Sequence, residues 1–139
     1  MKVLVLDDHQ AFREEVLAML SRGGHEGVGA DSAQAAIPLV RDGTFDFVLV
    51  DYSMPEHDGI WFLRQAKLPR HTKALLVTAH VNTPMIAQAL NLGAVGYLIK
   101  PFDEADLLRH LAFHSSSADA GASAGSDWRL DHHGKRIQA

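Results

Sequence analysis

The sequence predicts an α/β domain in which a parallel sheet is covered by helices on both faces. Three observations predict it. Apolar runs recur along the chain: Val3-Leu4-Val5-Leu6, Phe47-Val48-Leu49-Val50, Ala74-Leu75-Leu76-Val77 and Tyr97-Leu98-Ile99. Their length and continuity suit strands buried on both faces. Segments with helical spacing of apolar residues separate them. Each run also ends in a polar group: Asp7-Asp8, Asp51, Thr78 and Lys100. In an open α/β sheet the carboxyl ends of the strands line the ligand crevice, so these groups are expected to meet in one pocket.

The elements follow in order. A first strand is read over residues 2–6. A helix follows over 10–22, with Phe12, Val16 and Leu20 on one face and Gly23-Gly24 as its stop. A short strand over 27–30 is weakened by its glycines. Asp31 or Ser32 caps a second helix to about residue 42, which Pro38 should kink or shorten. The third strand is 47–50. A loop through Met54-Pro55-Glu56-His57-Asp58-Gly59 leads to a helix carrying Ile60, Leu63 and Ala66, and Gly59 suits a backbone position with unusual torsion angles. The fourth strand spans 74–77 and the fourth helix 83–92, ending at Gly93. The fifth strand spans 96–99. After Lys100-Pro101, Asp103 caps a fifth helix to about 113. We therefore expect a domain over residues 1–114, a Ser-, Gly- and Ala-rich flexible linker over 115–127 and a tail over 128–139.

Composition narrows the function classes. The chain has 139 residues, enough for one domain with a buried core and a short remainder. A formal net charge of -4 does not favour nucleic acid or an anionic membrane. The absence of cysteine excludes disulfide and thiol chemistry. With no signal peptide and no membrane-length apolar run, a cytoplasmic chain without membrane contact is expected.

Three carboxylates, a hydroxyl and an ammonium can hold a hard divalent cation beside a phosphoryl group. Mg²⁺ takes oxygen ligands octahedrally and retains waters. Asp8 and Asp51 are placed to ligate it directly and Asp7 through water. Crowded carboxylates repel one another, and a dication relieves that. Asp51 is central and can attack phosphorus to give an aspartyl phosphate. Lys100 and the cation neutralise the transferring charge, and the Thr78 hydroxyl donates to a phosphoryl oxygen.

The set Asp7-Asp8, Asp51 with Met54-Pro55 and Asp58-Gly59, Thr78-Ala79, and Gly93-Ala94 through Tyr97 to Lys100-Pro101-Phe102 resembles the receiver domain of two-component response regulators, over about residues 1–113. The resemblance implies a flavodoxin-like, doubly wound sheet of five parallel strands in order 2-1-3-4-5. It implies phosphorylation of Asp51 by a sensor histidine kinase or phosphotransfer protein. It implies Mg²⁺ (or Mn²⁺) on Asp8, Asp51 and the Ser53 backbone carbonyl. Thr78, the Ala79 backbone and Lys100 would contact the phosphoryl group, and the Lys100-Pro101 peptide would be cis. Phosphorylation would draw the Thr78 hydroxyl inward, turn the Tyr97 ring and reshape the surface of the fourth helix, fifth strand and fifth helix. Such a domain is a signalling switch rather than a conventional enzyme.

Ser53 and His80 fall at the two positions that tune phosphoryl loss in this family, and His80 is expected to alter attack by water. Winged-helix members often dimerise through ion pairs between the fourth and fifth helices. Residues 82–97 here contain no charged residue, so a homodimer through that surface should not rest on those pairs, and Met85, Ile86 and Leu90 offer an apolar contact instead. His110 and His114 stand at metal-gripping spacing without an evident third ligand, which favours a surface or packing role; the same holds for His132-His133. Trp128-Arg129-Leu130-Asp131, with Arg136-Ile137, weakly resembles the opening strand of a winged-helix domain. That suggests the receiver part of a transcription factor whose DNA contact lies in a domain absent from this chain.

Three other classes fit the sequence less well. Haloacid-dehalogenase-like enzymes need a second acid two residues after the nucleophile, where this chain has Ser53 or His9. A flavodoxin-like mononucleotide binder needs a Ser-, Thr- and Gly-rich loop where Asp7-Asp8-His9 would repel phosphate. A receiver-like module that works without phosphorylation is opposed by the full acceptor set.

Overall fold

The computed structural model describes residues 1–120, 128–130 and 136–138. The elements are β1 (Lys2–Leu6), α1 (Gln10–Arg22), β2 (Glu26–Ala30), α2 (Ala33–Val40), β3 (Phe47–Asp51), α3 (Gly59–Ala66), β4 (Lys73–Thr78), α4 (Thr83–Asn91), β5 (Ala94–Ile99), α5 (Glu104–Ala120), β6 (Trp128–Leu130) and β7 (Arg136–Gln138). β1 to β5 form one parallel sheet in the order β2-β1-β3-β4-β5. This is the doubly wound, flavodoxin-like arrangement, and its order reverses beside β1 and β3, where Asp7, Asp8 and Asp51 lie.

Strand alternation splits the core into two layers. Leu4, Leu6, Val48, Val50, Ala74 and Leu76 point to one face and pack with residues of α2, α3 and α4. Val3, Val5, Phe47, Leu49, Leu75 and Val77 point to the other and pack with residues of α1 and α5. Successive side chains of a strand face opposite ways, so the inner residues of each central strand are apolar.

The starts of α2 to α5 are capped by short polar side chains, whereas His9 at the start of α1 makes no side-chain cap. Ser32 accepts from the Ala35 N–H at 3.1 Å, Asp58 from Trp61 at 2.9 Å and Asn82 from Met85 at 3.1 Å. Asp103 accepts from Asp106 at 2.7 Å at the start of α5. Pro38 remains inside α2, which ends at Val40, two residues before the predicted stop.

Two further elements and one residue differ from the sequence reading. β5 begins at Ala94 rather than residue 96. The register against β4 shifts between Ala74 and Leu75, so Ala74 faces Ala94, Leu75 faces Gly96, and Val95 is skipped and exposed. α5 runs to Ala120, past the predicted end near 113 and into the predicted linker, because no Gly or Pro breaks the helix before Gly121. Residues 121–127 of that linker lie outside the described residues. Gly59 does not occupy a left-handed backbone position. A side chain there would put its Cβ 2.6 Å from the Asp51 carbonyl oxygen and 3.1 Å from Tyr52 Cα, so glycine is required by close approach of two backbones. The positive φ in this loop belongs to Glu56, at 67°.

In the tail, β6 and β7 pair antiparallel, with Arg129 opposite Ile137. Asp131 and His132-His133 lie outside the described residues. Among the described residues no helix is long and apolar enough to cross a membrane.

Candidate functional site

The carboxyl ends of β1, β3 and β5 bring Asp7, Asp8, Asp51 and Lys100 together, and the end of β4 adds Thr78. Asp7 is 1% exposed and Asp51 4% exposed. The Lys100 ammonium lies 2.9 Å from Asp7 Oδ2 and 3.3 Å from Asp51 Oδ1, bridging the two carboxylates. It also stands 4.3 Å from the centre of the Phe12 ring, which itself meets Phe102 edge-on at 5.6 Å. A cation over an aromatic face is attracted by the ring quadrupole, so α1 helps hold Lys100 in place. Sequence spacing marked Phe12 only as a core residue; its relation to Lys100 needs the fold.

Burial raises the Asp51 carboxyl to about 6, reinforced by the Asp7 charge and less so by Asp8, with Lys100 opposing. Burial also works against the Lys100 ammonium. Its hydrogen bond to Asp7 and the charge of Asp51 outweigh that and hold it above the usual lysine range. One oxygen of Asp8 and one of Asp51, Oδ1 and Oδ2 respectively, are buried without a hydrogen-bond partner. Such acceptors are costly unless a ligand or water meets them. Crowded anions with orphaned oxygens are what a hard dication satisfies. Asp8 and Asp51, with Asp7 behind them, therefore fit Mg²⁺.

A cavity of about 360 Å³ opens at this edge. Asp51, Ser53, Thr78, Ala79, His80 and Lys100 line it. The Thr78 hydroxyl is buried, donates to the His80 carbonyl at 2.9 Å and accepts the His80 N–H at 3.1 Å. His80 thus meets Thr78 through its backbone, a contact that residue identity could not reveal. Tyr97 is half-buried and packs on the α2–α4 layer without itself lining the cavity. The Lys100-Pro101 peptide is cis.

His110 and His114 take no part in this site. Both lie on the buried face of α5, with ring centres 6.1 Å apart. The His114 carbonyl accepts from Lys73 Nζ at 2.8 Å, and Gly96 leaves room for the His114 ring. Burial, with the charges of His110 and Lys73, pushes His114 down to about 4.

Fold and pocket define a doubly wound α/β domain with an acidic crevice, crossed by Lys100, at its switch point. A family model described as the response regulator receiver domain matches residues 3–112, and the chain belongs to that family. It is 39% identical to the response regulator protein FleR of Pseudomonas aeruginosa over 116 residues, which cover 82% of this chain and 24% of FleR. Over 115 residues it is 34% identical to the chemotaxis protein CheY-3 of Vibrio cholerae, covering 80% of this chain and 88% of CheY-3. Over 127 residues it is 37% identical to the transcriptional regulatory protein ZraR of Escherichia coli, covering 88% of this chain and 29% of ZraR. The crystal structure of a CheY-like receiver domain protein from Methanospirillum hungatei superposes with a TM-score of 0.80 at 26% identity, covering 86% of this chain and 97% of that one. The chain thus spans about a quarter of FleR and nearly all of CheY-3. Receiver domains are signalling switches that interact with histidine kinases or phosphotransfer proteins and generally bind Mg²⁺ in an acidic pocket.

Proposed function

We propose that this chain is the phosphoacceptor switch of a cytoplasmic response regulator, with Asp51 accepting a phosphoryl group from a sensor histidine kinase or phosphotransfer protein. The observation that carries the reading is Asp51 itself. It is buried, one of its oxygens is held 3.3 Å from Lys100, and the other has no hydrogen-bond partner. That free oxygen attacks phosphorus as the phosphorus–nitrogen bond of the donor phosphohistidine breaks, and the proton balance is kept at the departing imidazole. Asp8, Asp51 and the Ser53 backbone carbonyl would hold Mg²⁺, with Asp7 acting through water. Bound Mg²⁺ (or Mn²⁺) supplies positive charge against the phosphoryl oxygens. Lys100 shifts one of its contacts to the phosphoryl group, and the Ala79 backbone N–H donates to it.

Thr78 is the trigger. Its hydroxyl leaves the His80 carbonyl for a phosphoryl oxygen, and Tyr97 turns into the space this frees. The α4-β5-α5 surface then changes its population of shapes. Ser53 and His80 flank the path of water and set how long the aspartyl phosphate lasts. The output is transcription, as in ZraR, through a DNA-binding domain beyond this chain, with β6 and β7 as its opening strands.

The test is intact mass after incubation with acetyl phosphate, with and without Mg²⁺, for the wild type and Asp51→Ala. One added phosphoryl group requiring both Mg²⁺ and Asp51 is expected. Folded protein with no adduct in any condition overturns the reading.

A homodimer through α4-β5-α5 would be apolar rather than ionic. α4 carries no charge, Arg109 pairs with Asp106 on its own helix, and Glu104 is taken by Arg22 at 2.6 Å. Met85 and Ile86 are turned into the core, whereas Leu90 and Val95 are exposed at this surface. The expected result is that sedimentation of the phosphorylated protein changes little between low and high salt or on Arg109→Ala. A dimer that dissociates in either case argues for ion pairs.

A further inference from the structure

Every polar atom of Asp7 has a partner. Its N–H donates to the Ala30 carbonyl at 3.1 Å. Its Oδ1 accepts the His9 N–H at 2.8 Å, and its Oδ2 accepts from Lys100 Nζ at 2.9 Å. Its carbonyl accepts from Arg13 Nη1 at 2.7 Å, a short bond strengthened by the donor's charge. Asp8 is held differently. Its Oδ1 is buried without a hydrogen bond, and His9 Nδ1 stands 3.4 Å away, beyond the usual range of about 2.7–3.2 Å. The aim of Asp8 therefore depends on the peptide from which it hangs. That peptide joins Asp7 to Asp8, and Arg13 grips its oxygen. A peptide is planar, so fixing the oxygen fixes the direction in which Asp8 leaves the strand.

Arg13 is built into place. It stands one turn after His9 on α1, with its N–H on the His9 carbonyl at 2.9 Å. Among the described residues it joins no ion pair, although three carboxylates cluster at the ends of β1 and β3. Its stem crosses β2 at Gly29, where a Cβ would meet Arg13 Cδ at 3.1 Å, Nε at 3.3 Å and Cγ at 3.4 Å. The torsions of Gly29 do not demand glycine, since its φ is not positive. What glycine supplies there is room for Arg13.

We propose that Arg13 is a positioning residue for the acidic pocket: seated over Gly29, its guanidinium sets the Asp7–Asp8 peptide and thereby aims the Asp8 carboxylate at Mg²⁺. The inference deepens the phosphoacceptor reading and rests on it for the identity of the cation. Charge and position predict opposite signs for Arg13→Ala. Removing a cation near a dication site would by Coulomb attraction alone tighten binding of the dication. Losing the aim of a ligand weakens it, and outer partners that orient metal ligands typically matter by about 10–100-fold.

The test titrates MgCl₂ calorimetrically into the full chain for the wild type, Arg13→Ala, Arg13→Lys, Gly29→Val and the Arg13→Ala, Gly29→Val double variant, with thermal melts in EDTA alongside. Arg13→Ala should bind Mg²⁺ at least about tenfold more weakly. Arg13→Lys, which keeps a donor and a charge, should recover part of that loss. Gly29→Val should weaken binding at least about threefold by displacing the Arg13 stem. Its melting point in EDTA should not fall, because valine suits a strand. In the double variant valine should add no further loss, since no stem remains to displace. Unchanged or tighter Mg²⁺ binding in folded Arg13→Ala, or a Gly29→Val effect that persists in full without Arg13, overturns the inference. If Arg13→Ala does not fold, wild-type affinity in Gly29→Val overturns it equally. Acetyl phosphate separates this inference from the reading beneath it. A wild type that binds Mg²⁺ but forms no adduct refutes the phosphoacceptor reading, and the titrations still judge Arg13. A wild-type adduct with equal Mg²⁺ affinity in all five proteins refutes the role of Arg13 alone.

Discussion

Asp51→Asn is expected to make the metal-free protein more stable at pH 8, by about 2 kcal/mol, and to lose that advantage near pH 4. The ordinary carboxyl value is 3.8, and the folded protein raises Asp51 to about 6 through burial and the charges of Asp7 and Asp8. The folded state therefore holds the Asp51 proton more tightly than the unfolded chain. Stability from this group is fullest below the unfolded value, falls as pH rises through the interval up to about 6, and stays low above it. About two pH units of displacement correspond to roughly 3 kcal/mol. The net gain is smaller, because asparagine also gives up the attraction of Lys100, 3.3 Å away. Thermal melts in EDTA at pH 4, 6 and 8 measure the difference; for a domain of this size a gain of about 2 kcal/mol is a midpoint shift of roughly 5–10 °C. Mg²⁺ should stabilise the wild type more than the variant, since it relieves a repulsion the amide has already removed. Equal melting at pH 8 without metal would mean that the carboxylates are not under strain from one another.

Gly59→Ala carries the second large effect. Inside an exposed helix, alanine ordinarily stabilises by up to about 1 kcal/mol over glycine. The opposite sign is expected here. The new Cβ would stand 2.6 Å from the Asp51 carbonyl oxygen, 3.0 Å from Val50 Cγ1 and 3.1 Å from Tyr52 Cα. Two of these neighbours are backbone and cannot rotate away. The Gly59 N–H also donates to the Tyr52 carbonyl at 2.9 Å, so separating α3 from the end of β3 breaks a hydrogen bond as well. The cost should be about 2–3 kcal/mol. The carbonyl that must move belongs to Asp51, so phosphorylation by acetyl phosphate should slow by about tenfold or more in protein that remains folded. Asp58→Ala is the comparison: it removes the α3 cap at a cost of about 1 kcal/mol and leaves the β3 end alone. If both variants lose equal stability and only equal rate, close approach is not what glycine serves at this position.

These two sites show what a sequence can disclose. β1, β3 and β4 were legible because both faces of each are buried, so every residue in the run is apolar. The polar residues ending them were legible for the same reason, since the run stops where the crevice begins. The start of β5 was not, because the register shift against β4 that skips Val95 leaves no mark in the sequence. The length of α5 was missed because serines and alanines after His114 match a linker by composition, yet contain no helix breaker. Gly59 was picked out for the wrong reason: its constraint comes from a strand end eight residues earlier, not from its own torsions. The bond between Thr78 and the His80 main chain, and the ring of Phe12 against Lys100, depend on side-chain rotamers and on helix placement that no spacing encodes.

The two-layered core described above has a consequence for how the molecule can be altered. Val48 and Leu49 are neighbours in the chain but serve different neighbourhoods, one walled by α2–α4 and the other by α1 and α5. A repacking on one side is shielded from the other by a sheet of hydrogen-bonded backbone, so the two halves behave as separately tunable compartments. At the edge where the strands end, that insulation stops: Lys100 touches Phe12 of α1 while it grips Asp51 of the central strand. A single charge placed there is addressed to both compartments at once, whereas a methyl group added deep in either one stays a private matter.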